Sequence, residues 1–267
     1  MCILFVALNT HPQYPLVICA NRDEFHHRPT EPAQFWPPER NILAGKDLQA
    51  GGSWFGVNKQ GQIAGLTNLR VPQKPQQAVR SRGELIVQAL SSGSLICPNW
   101  LIEHSSDYQP FNLVFGQGTH LYCFNSLSQE TVKLDDGCHA ISNGALDDIW
   151  PKMAKGQQAL QQLVLSAQPL DIPSLIKLMQ DDTLPQDSEL PNTGVGLEWE
   201  RRLAAIYIRH ADYGTRSTSI MLQDTNGTIH FTEVRYDGKG RCLGQQDFHF
   251  PITPELPPKC LTETSAN

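Results

Sequence analysis

The chain has 267 residues, a formal net charge of −6 and a pI near 5.8, with 40% hydrophobic and 18% charged residues. This composition is globular and excludes a disordered protein, and the absence of a dense Lys/Arg cluster argues against nucleic acid as a partner. The apolar N-terminus is too short to span a membrane and lacks the basic flank of a signal peptide, so we expect no membrane span and a cytoplasmic protein.

Two apolar runs at the N-terminus predict a β-hairpin. Cys2–Leu8 and residues 15–20 are rich in Val, Ile, Leu and Phe, and a polar link with a proline, NTHPQY, joins them. With a turn centred near Pro12, the numbers of facing residues sum to about 24. Cys2 then lies opposite Arg22, which Asn21 and Asp23 flank.

The remaining elements follow from turn signals and apolar spacing. SWFGVN and QIAGLTN predict a hairpin turning at residues 59–61, and FNLVFG and HLYCFNS predict another around 117–118. SRGELIVQALSS predicts a short helix, and GCHAISNG a further strand. Residues 152–168 and 171–182 predict helices, the second with Asp171 as its N-cap. RSTSIMLQDTNGTIHFTEVRY predicts a hairpin with an Asn-Gly turn.

The segments between these elements are expected to be irregular. RPTEPAQFWPPER predicts an extended Pro-rich loop, 183–196 a loop, and LEWERRLAAIYI a helix at its start only. No repeat or linker is present, so we expect one domain over 1–250 and a Pro-rich tail over 251–267. Mostly antiparallel hairpins with clustered helices indicate an α+β fold in which helices enclose two sheets.

Cys2 is the most unusual residue of the N-terminus. Aminopeptidases remove Met1 before a small side chain, which would leave Cys2 with a free α-amine and a thiol. Both groups titrate near neutrality, so one residue could supply a nucleophile and its base. Such a site needs a carboxylate to orient the ammonium, a cation to favour the thiolate and an amide for the oxyanion. Asp23, Arg22 and a downstream Asn could supply them.

A simpler interpretation stands beside this one. A buried cysteine on a strand is usually a packing residue, and polar residues often end a strand where the chain returns to solvent. The seven cysteines are an odd number without a C-x-x-C pair, so neither a disulfide framework nor a structural zinc site is expected.

Several motifs together resemble the NRDE family, which is named for an Asn-Arg-Asp-Glu motif and includes the Transport and Golgi organisation protein two. The motifs are MCILFVAL, ANRDEF, GGSWFGVN, SRGEL, FNLVFG, SNG followed by WPK, and YGTRSTSIML. They cover nearly the whole chain in the family's order. The resemblance implies a four-layer αββα sandwich similar to that of the N-terminal-nucleophile hydrolases of the choloylglycine and penicillin-acylase type.

The resemblance also implies a pocket with two alternative uses. In the first, the pocket hydrolyses a linear amide, with Cys2, Arg22, Asp23 and Asn143 as catalytic residues and Asn143 as the oxyanion donor. In the second, it carries an anionic apolar ligand such as haem or an acyl thioester, because family members have been tied to haem trafficking and acyl-CoA or lipid handling. Ligand contacts are expected from Asn21, Glu24, Trp54, Asn68 and Arg216. No cofactor is required, and haem enters only as a possible ligand.

Four other features favour ordinary structural roles. His26 and His27 are adjacent on an extended segment and point to opposite sides, so no shared metal is expected. Cys97-Pro98 is similar to a haem-ligating dipeptide but more simply ends a helix and begins a loop. Charged residues of the 197–202 helix are expected to form a solvated, ion-paired face: Glu198, Glu200, Arg201 and Arg202. Trp36 and Trp54 could form walls of an apolar pocket.

Overall fold

The structure is a computed structural model that describes residues 2–37, 41–72, 80–91 and 94–253. In chain order its strands are β1 (Cys2–Leu8), β2 (Leu16–Phe25), β3 (Thr30–Phe35), β4 (Ile42–Asp47), β5 (Phe55–Asn58), β6 (Gln62–Asn68), β7 (Phe111–Gln117), β8 (His120–Asn125), β9 (Glu130–Lys133), β10 (Gly137–Ile141), β11 (Tyr213–Gln223), β12 (Thr228–Tyr236) and β13 (Cys242–Pro251). The α-helices are α1 (Gly83–Ser91), α2 (Pro98–His104), α3 (Pro151–Val164), α4 (Ile172–Met179) and α5 (Leu197–Arg202).

The strands form two antiparallel sheets. The first sheet has six strands in the order β10-β1-β2-β11-β12-β13, and the second has seven in the order β3-β4-β5-β6-β7-β8-β9. One apolar cluster fills the space between the sheets, a second joins the first sheet to α3 and α4, and a third joins the second sheet to α1 and α2. The layers therefore follow the predicted order αββα, in an α+β fold.

Strand β1 shows why its sequence is apolar at every position. Leu4, Val6 and Leu8 pack between the two sheets, whereas the alternate residues Ile3, Phe5 and Ala7 pack against the helical layer. Successive side chains of a strand point to opposite faces, and here both faces are covered. The same pattern continues in β2, the neighbour of β1.

The predicted hairpins are confirmed. The residue numbers of every β1–β2 pair sum to 24, including Cys2 with Arg22 and Leu8 with Leu16. The β5–β6, β7–β8 and β11–β12 pairs also lie where the turns predict them. The helices α3 and α4 form with earlier ends than predicted, and the Asp171 side chain accepts a hydrogen bond from the Ser174 amide at 2.7 Å.

Several expectations were wrong. Strand β2 does not end at Ala20 but continues through the motif to Phe25, and β3 occupies part of the predicted Pro-rich loop. Strand β13 was not predicted; it ends at Pro251, the first residue of the predicted tail. Residues 254–267 lie outside the described part of the chain, as does Cys260, so the boundary between domain and tail stays a prediction. Cys97-Pro98 begins the helix α2 and does not end one.

The described ranges contain neither a membrane-spanning helix nor a cluster of metal-binding side chains. None of their helices has the length and apolarity needed to cross a membrane. In the same ranges, no three His, Cys, Asp or Glu side chains lie close enough together to hold a metal ion.

Candidate functional site

The site lies at the end of the first hairpin, where β1 begins and the motif of β2 passes beside it. Cys2 is directly opposite Arg22 in the β1–β2 ladder. Strand β2 also pairs with β11 on its other side, with a bulge between Thr215 and Ser217 beside the motif. The four motif residues are thus fixed in the interior of a sheet, and alternation along the strand sends their side chains to different faces.

Asn21 points toward the helical layer and away from the predicted pocket. Its amide nitrogen donates to the carbonyls of Met179 at 2.8 Å and Ile206 at 2.9 Å, and its oxygen accepts from the Thr218 hydroxyl at 2.6 Å. The residue is fully buried. Its bonds tie the end of α4 and the segment before β11 to the sheet, so its polar atoms have structural partners, and its ligand contact stays a prediction.

Arg22 points into the space between the sheets. Its Nη2 donates to Asp47 at 2.8 Å, and its Cζ lies 4.2 Å from the centroid of the Trp54 ring. Asp47 also accepts from Nε of Arg28 at 2.6 Å, so one carboxylate holds two arginines. Among the described residues, Nη1 of Arg22 is buried and has no hydrogen-bond partner. That nitrogen is a donor available to a bound oxygen.

Asp23 is buried beside Cys2. Its Oδ1 accepts from the Thr215 hydroxyl at 2.7 Å, and its carbonyl accepts from the Tyr213 hydroxyl at 2.9 Å. Burial raises the pKa of Asp23 to about 6, and the positive charges of the amino terminus and of Lys152 oppose this rise. The carboxyl group is therefore mostly ionised at neutral pH but gains a proton in mild acid.

Cys2 is half-buried, and its environment favours the neutral thiol. Burial raises the pKa of the thiol, and the negative charge of Asp23 adds to the rise. The positive charge of Arg22 and a hydrogen bond from the Asp23 amide oppose it. Because the raising effects prevail, the sulfur needs a base beside it to become a nucleophile.

Cys2 opens into a cavity of about 100 Å³. A volume of this size holds about three water molecules and is smaller than the roughly 300–1,000 Å³ of sites for drug-sized ligands. It fits the reacting group of a molecule and leaves the rest outside. Its lining residues are Cys2, Arg22, Asp23, Glu24, Arg28, Asp47, Gly52, Ser53, Trp54, Leu66, Asn68, Ser81, Arg82 and Gly83.

Glycine is required where the two loops at the cavity mouth meet. A Cβ on Gly52 would lie 2.3 Å from the carbonyl carbon of Gly83, and the Ser53 amide donates to the Gly83 carbonyl at 3.2 Å. The contact joins the loop before β5 to the start of α1. It explains a glycine in each of the GGSWFGVN and SRGEL motifs.

Six of the nine predicted site residues line this cavity, and three do not. Glu24, Trp54 and Asn68 join Cys2, Arg22 and Asp23 in the lining. Asn143 is buried behind it, and its Nδ2 donates to the Asn68 carbonyl at 2.9 Å. Nη1 of Arg216 donates to the carbonyls of Phe25, His26 and Arg28, so this arginine holds the chain that follows the motif. The oxyanion role of Asn143 stays a prediction that its position does not favour.

Sequence reasoning missed three charged residues of the lining, namely Arg28, Asp47 and Arg82. Nη1 of Arg82 donates to the Pro110 carbonyl at 3.0 Å, and burial lowers the pKa of its guanidinium while Cys2 and Glu24 oppose that fall. The SRGEL motif that contains Arg82 was available as a signal. No sequence signal pointed to Asp47, because its role depends on Arg22 of β2 and on Arg28 of the loop that follows β2.

A second group of charges behind Asp23 was also missed. Arg70 and Glu200 form an ion pair at 2.8 Å in which both side chains are 4% exposed. Lys152 at the start of α3 is 6% exposed. The expectation that Glu200 belongs to a solvated face was wrong, whereas Glu198 and Arg202 do pair on the exposed side of the same helix. Helical spacing alone does not reveal that one carboxylate of a charge run faces inward.

Trp36 and the two adjacent histidines lie away from this cavity. The Trp36 indole donates to the Ala44 carbonyl at 2.8 Å and packs in the cluster beneath α1 and α2. His26 is hydrogen-bonded through Nε2 to the His210 carbonyl at 2.9 Å, and His27 is exposed. The tryptophan is thus a core residue of the second sheet.

Comparisons with known proteins identify relatives over most of the chain. The family model described as Transport and Golgi organisation 2 matches residues 1–238. The Transport and Golgi organization protein 2 homologs of Bos taurus and Homo sapiens are each 32% identical to the chain, covering 87% of it and 92% of the relative. Transport and Golgi organization protein 2 of Drosophila melanogaster is 27% identical, covering 89% of this chain and 93% of the relative.

Solved structures with a related shape are more distant in sequence. Penicillin V acylase from Agrobacterium tumefaciens is 10% identical with a TM-score of 0.49, covering 94% of this chain and 86% of that one. An ortholog of N-acylethanolamine-hydrolyzing acid amidase from Caenorhabditis elegans is 11% identical with a TM-score of 0.46, covering 83% of this chain and 92% of that one.

Proposed function

The chain belongs to the Transport and Golgi organisation 2 family, and we propose that it is an amidohydrolase whose nucleophile is the sulfur of Cys2. The substrate class is a linear amide or a related C–N bond. The proposal includes the cytoplasmic location expected from the sequence. The names of its relatives refer to transport and Golgi organisation, and cell fractionation of the tagged protein tests the location.

The observation that carries the proposal is the surroundings of the Cys2 sulfur. It opens into a cavity of about 100 Å³, with Arg22 directly opposite Cys2 in the β1–β2 ladder and Asp23 in the same lining. A packing cysteine requires neither an adjacent cation nor an adjacent buried carboxylate. An N-terminal nucleophilic cysteine can use both, since the cation favours the thiolate and the carboxylate orients the α-amine that acts as base.

The reaction begins with a protonated thiol, because burial raises the pKa of Cys2. After removal of Met1, the α-amine of Cys2 accepts the thiol proton while the sulfur attacks the amide carbon. The carbonyl oxygen takes the electron pair, and collapse breaks the C–N bond as the ammonium gives its proton to the leaving amine. Water then hydrolyses the thioester by the same proton path and restores the thiol.

The neighbouring groups have separate tasks in this scheme. The Asp23 carboxylate holds the α-ammonium, and its pKa of about 6 leaves it ionised at neutral pH. The unpartnered Nη1 of Arg22 is available to a substrate oxygen. Asn68 lines the cavity and is the better placed amide for the oxyanion, with Asn143 supporting it through the hydrogen bond to its carbonyl.

Intact mass and an acylating probe test the proposal without a known substrate. The mass of the purified protein shows whether Met1 is absent. With p-nitrophenyl acetate we expect nitrophenolate release and one acetyl group, which peptide mapping places on Cys2. Cys97→Ala removes an exposed thiol and serves as the matched control. We expect Cys2→Ala to lose the adduct and Cys97→Ala to keep it. Retention of Met1, or acetylation of Cys2 no faster than Cys97, would exclude this mechanism.

Turnover then separates an enzyme from a reactive thiol. A series of N-acyl p-nitroanilides of increasing acyl length releases p-nitroaniline only if the C–N bond breaks. The cavity holds only the reacting group of the substrate. We therefore expect the rate of p-nitroaniline release to depend on contacts that the substrate's acyl chain makes outside the cavity. Stoichiometric acetylation without release of p-nitroaniline from any member of the series would contradict an amidase.

A second candidate function is the carriage of an anionic ligand such as haem or an acyl thioester. Three arginines in the lining favour it, namely Arg22, Arg28 and Arg82. The small cavity volume disfavours it, because a carrier has to enclose more of its cargo. Haem titration of wild type, Arg22→Ala and Cys97→Ala distinguishes the two. Specific carriage predicts a saturable spectrum that Arg22→Ala weakens, whereas identical weak spectra in all three would exclude it.

A further inference from the structure

Strand β11 holds Asp23 through two hydroxyl groups. The Tyr213 hydroxyl donates to the Asp23 carbonyl at 2.9 Å, and the Thr215 hydroxyl donates to Oδ1 of the Asp23 carboxylate at 2.7 Å. Thr215 and Asp23 are each 2% exposed. The proposed reaction uses this carboxylate but gives no task to Thr215, although a hydrogen bond joins the two side chains directly.

A second hydrogen bond fixes the direction of the Thr215 hydroxyl. The Ile208 amide donates to Oγ1 of Thr215 at 2.9 Å. An amide N–H can only donate, so Oγ1 is the acceptor in that bond and its single proton points to Asp23. A carboxylate that is held at one oxygen does not rotate freely about its Cβ–Cγ bond. The direction of the other Asp23 oxygen is therefore fixed as well.

The bulge of β11 places a threonine opposite Asp23. The numbers of paired residues on β2 and β11 sum to 239 along most of β11, and to 238 at its N-terminal end, where Thr215 is paired with Asp23. If the first register continued, Arg216 would lie opposite Asp23 and share its face of the sheet. The bulge shifts the strand by one residue instead, and bulges beside active sites commonly redirect a side chain in this way.

This shift separates an arginine from Asp23. Nη1 of Arg216 donates to the carbonyls of residues 25, 26 and 28, which follow Asp23 in the chain. A guanidinium beside Asp23 would form a charge-assisted pair with it and compete with the α-ammonium of Cys2 for the carboxylate. The Thr215 hydroxyl gives the carboxylate a hydrogen-bond donor without adding a charge.

Several charged or titratable groups also face Asp23. They are the amino terminus, Cys2 of β1, Arg70 after β6, Lys152 of α3, Tyr207 before β11 and Tyr213 of β11. Burial raises the pKa of Asp23 to about 6, and the amino terminus, Lys152 and the bond from Thr215 oppose this rise. Loss of the Thr215 hydroxyl should therefore raise the pKa of Asp23 further, because it removes a donor to the ionised form.

We infer that Thr215 is a positioning residue that fixes the Asp23 carboxylate in the orientation that receives the α-ammonium of Cys2. The inference rests on the proposed amidohydrolase, because Asp23 serves that reaction through the ammonium. The β1–β2 register, whose paired numbers sum to 24, puts Asp23 beside Cys2 on the side of its amine. Thr215 is not among the residues that line the cavity, so it acts on the reaction through Asp23.

The test compares Thr215→Val, which keeps the shape of threonine without the hydroxyl, with Thr215→Ser, which keeps the hydroxyl. ¹³C NMR of the Asp23 carboxyl gives its pKa, and p-nitrophenyl acetate gives the rate of Cys2 acetylation. In Thr215→Val we expect the pKa of Asp23 to rise from about 6 to about 7 and acetylation at pH 7 to fall about tenfold. Thr215→Ser should stay within about twofold of the wild-type rate.

Thr232→Val is the matched control. Thr232 is buried on the neighbouring strand β12, and its hydroxyl donates to Asp247 at 2.7 Å. The substitution therefore removes the same kind of bond at a place that does not involve Asp23. It should leave the pKa of Asp23 and the acetylation rate as in wild type. An equal loss of rate in Thr232→Val would overturn the inference, because the loss would then follow from any buried threonine.

The outcomes separate this inference from the proposed function. A wild-type protein that is not acetylated at Cys2 contradicts the amidohydrolase. Normal wild-type acetylation overturns the role of Thr215 if Thr215→Val leaves the pKa of Asp23 or the rate unchanged, or if Thr215→Ser shares the loss. If Thr215→Val does not fold, proton NMR of the wild type decides. The Thr215 hydroxyl resonance should shift as Asp23 titrates, and a resonance that does not shift overturns the inference.

Discussion

The guanidinium of Arg22 lies over the indole of Trp54, with Cζ 4.2 Å from the ring centroid. The ring covers one side of the cation, and Asp47 fixes its edge through the 2.8 Å bond to Nη2. Both contacts come from the second sheet, whereas Arg22 itself belongs to the first. The orientation of the cation opposite Cys2 is therefore set by the packing of the two sheets.

Replacement of Arg22 by Met should slow alkylation of Cys2. The positive charge of Arg22 lowers the pKa of the thiol, so its loss reduces the thiolate fraction. We expect iodoacetamide to modify Cys2 about tenfold more slowly at neutral pH, measured by mass spectrometry of the N-terminal peptide. Arg28→Met is the matched control, because Arg28 shares Asp47 but lies farther along the chain from Cys2. Equal slowing in both variants would contradict a specific effect of Arg22.

Replacement of Glu233 by Gln should change how stability depends on pH. Glu233 is buried between the sheets, and one oxygen accepts from the Ala33 amide at 2.8 Å. Burial raises its pKa to about 7, so the folded state favours the neutral acid. The stabilisation from this protonated form is full below the unfolded pKa near 4.5 and is lost as pH rises through about 7.

The Glu233→Gln variant carries no titrating group at this position and should therefore gain stability relative to wild type as pH rises. Between pH 5 and pH 8 we expect the difference in unfolding free energy to move by on the order of 2–3 kcal/mol in favour of the variant. Urea denaturation at the two pH values measures it. Glu130→Gln, on the exposed strand β9, should show no such trend. A constant difference for Glu233→Gln would mean that the carboxyl of Glu233 is not held neutral.

The Arg70–Glu200 ion pair should be strongly coupled in a double-mutant cycle. Both side chains are 4% exposed, so removal of either leaves a buried charge without its main partner. We expect Arg70→Met and Glu200→Leu each to reduce the unfolding free energy by about 3 kcal/mol, and the double variant to lose clearly less than their sum. Arg201→Met, at the exposed pair with Asp187, is the control and should reduce the unfolding free energy far less than either buried substitution. Additive losses would contradict a direct pair.

Replacement of Gly156 by Ala should destabilise the protein although Ala is the better helix former. A Cβ at this position of α3 would lie 2.0 Å from Cζ of Phe5, which is fully buried. The helix has to move from the sheet to admit it, at a cost of about 1–3 kcal/mol by thermal or urea unfolding. Gln161→Ala, exposed on the same helix, should change stability by less than about 0.5 kcal/mol. A gain in stability at Gly156 would show that α3 packs less closely on β1.

The hairpin register and the pairing of Cys2 with Arg22 were predictable, because a short polar turn between two apolar runs leaves few alignments. The end of β2 was not. The polar residues at 21–23 suggested that the strand ends at the protein surface. All three side chains are nevertheless buried. Their partners lie far away in the chain: Asp47, Thr215 and the carbonyls of Met179 and Ile206. A single sequence gives polarity, but it does not give these distant partners.

Two edge strands, β3 and β13, were missed for a different reason. Strand β13 alternates few apolar residues with many exposed polar ones, and β3 contains a proline. Each gains its strand conformation from pairing with one neighbour, β12 and β4 respectively, more than from its own composition. The burial of Glu200 was also decided by a distant contact. Its helix has the charge pattern of a solvated helix, and the ion pair with Arg70 holds this one carboxylate inside the protein.

The position of β2 has a consequence for motion. Because this strand is bonded to β1 on one side and to β11 on the other, residues 21–24 cannot open without breaking the first sheet in its middle. Their amide protons should exchange with deuterium only as slowly as the whole molecule unfolds. We therefore expect any conformational change on binding a molecule to occur in the loop at 48–54 and the turn at 80–83. The backbone of the motif at 21–24 should not move.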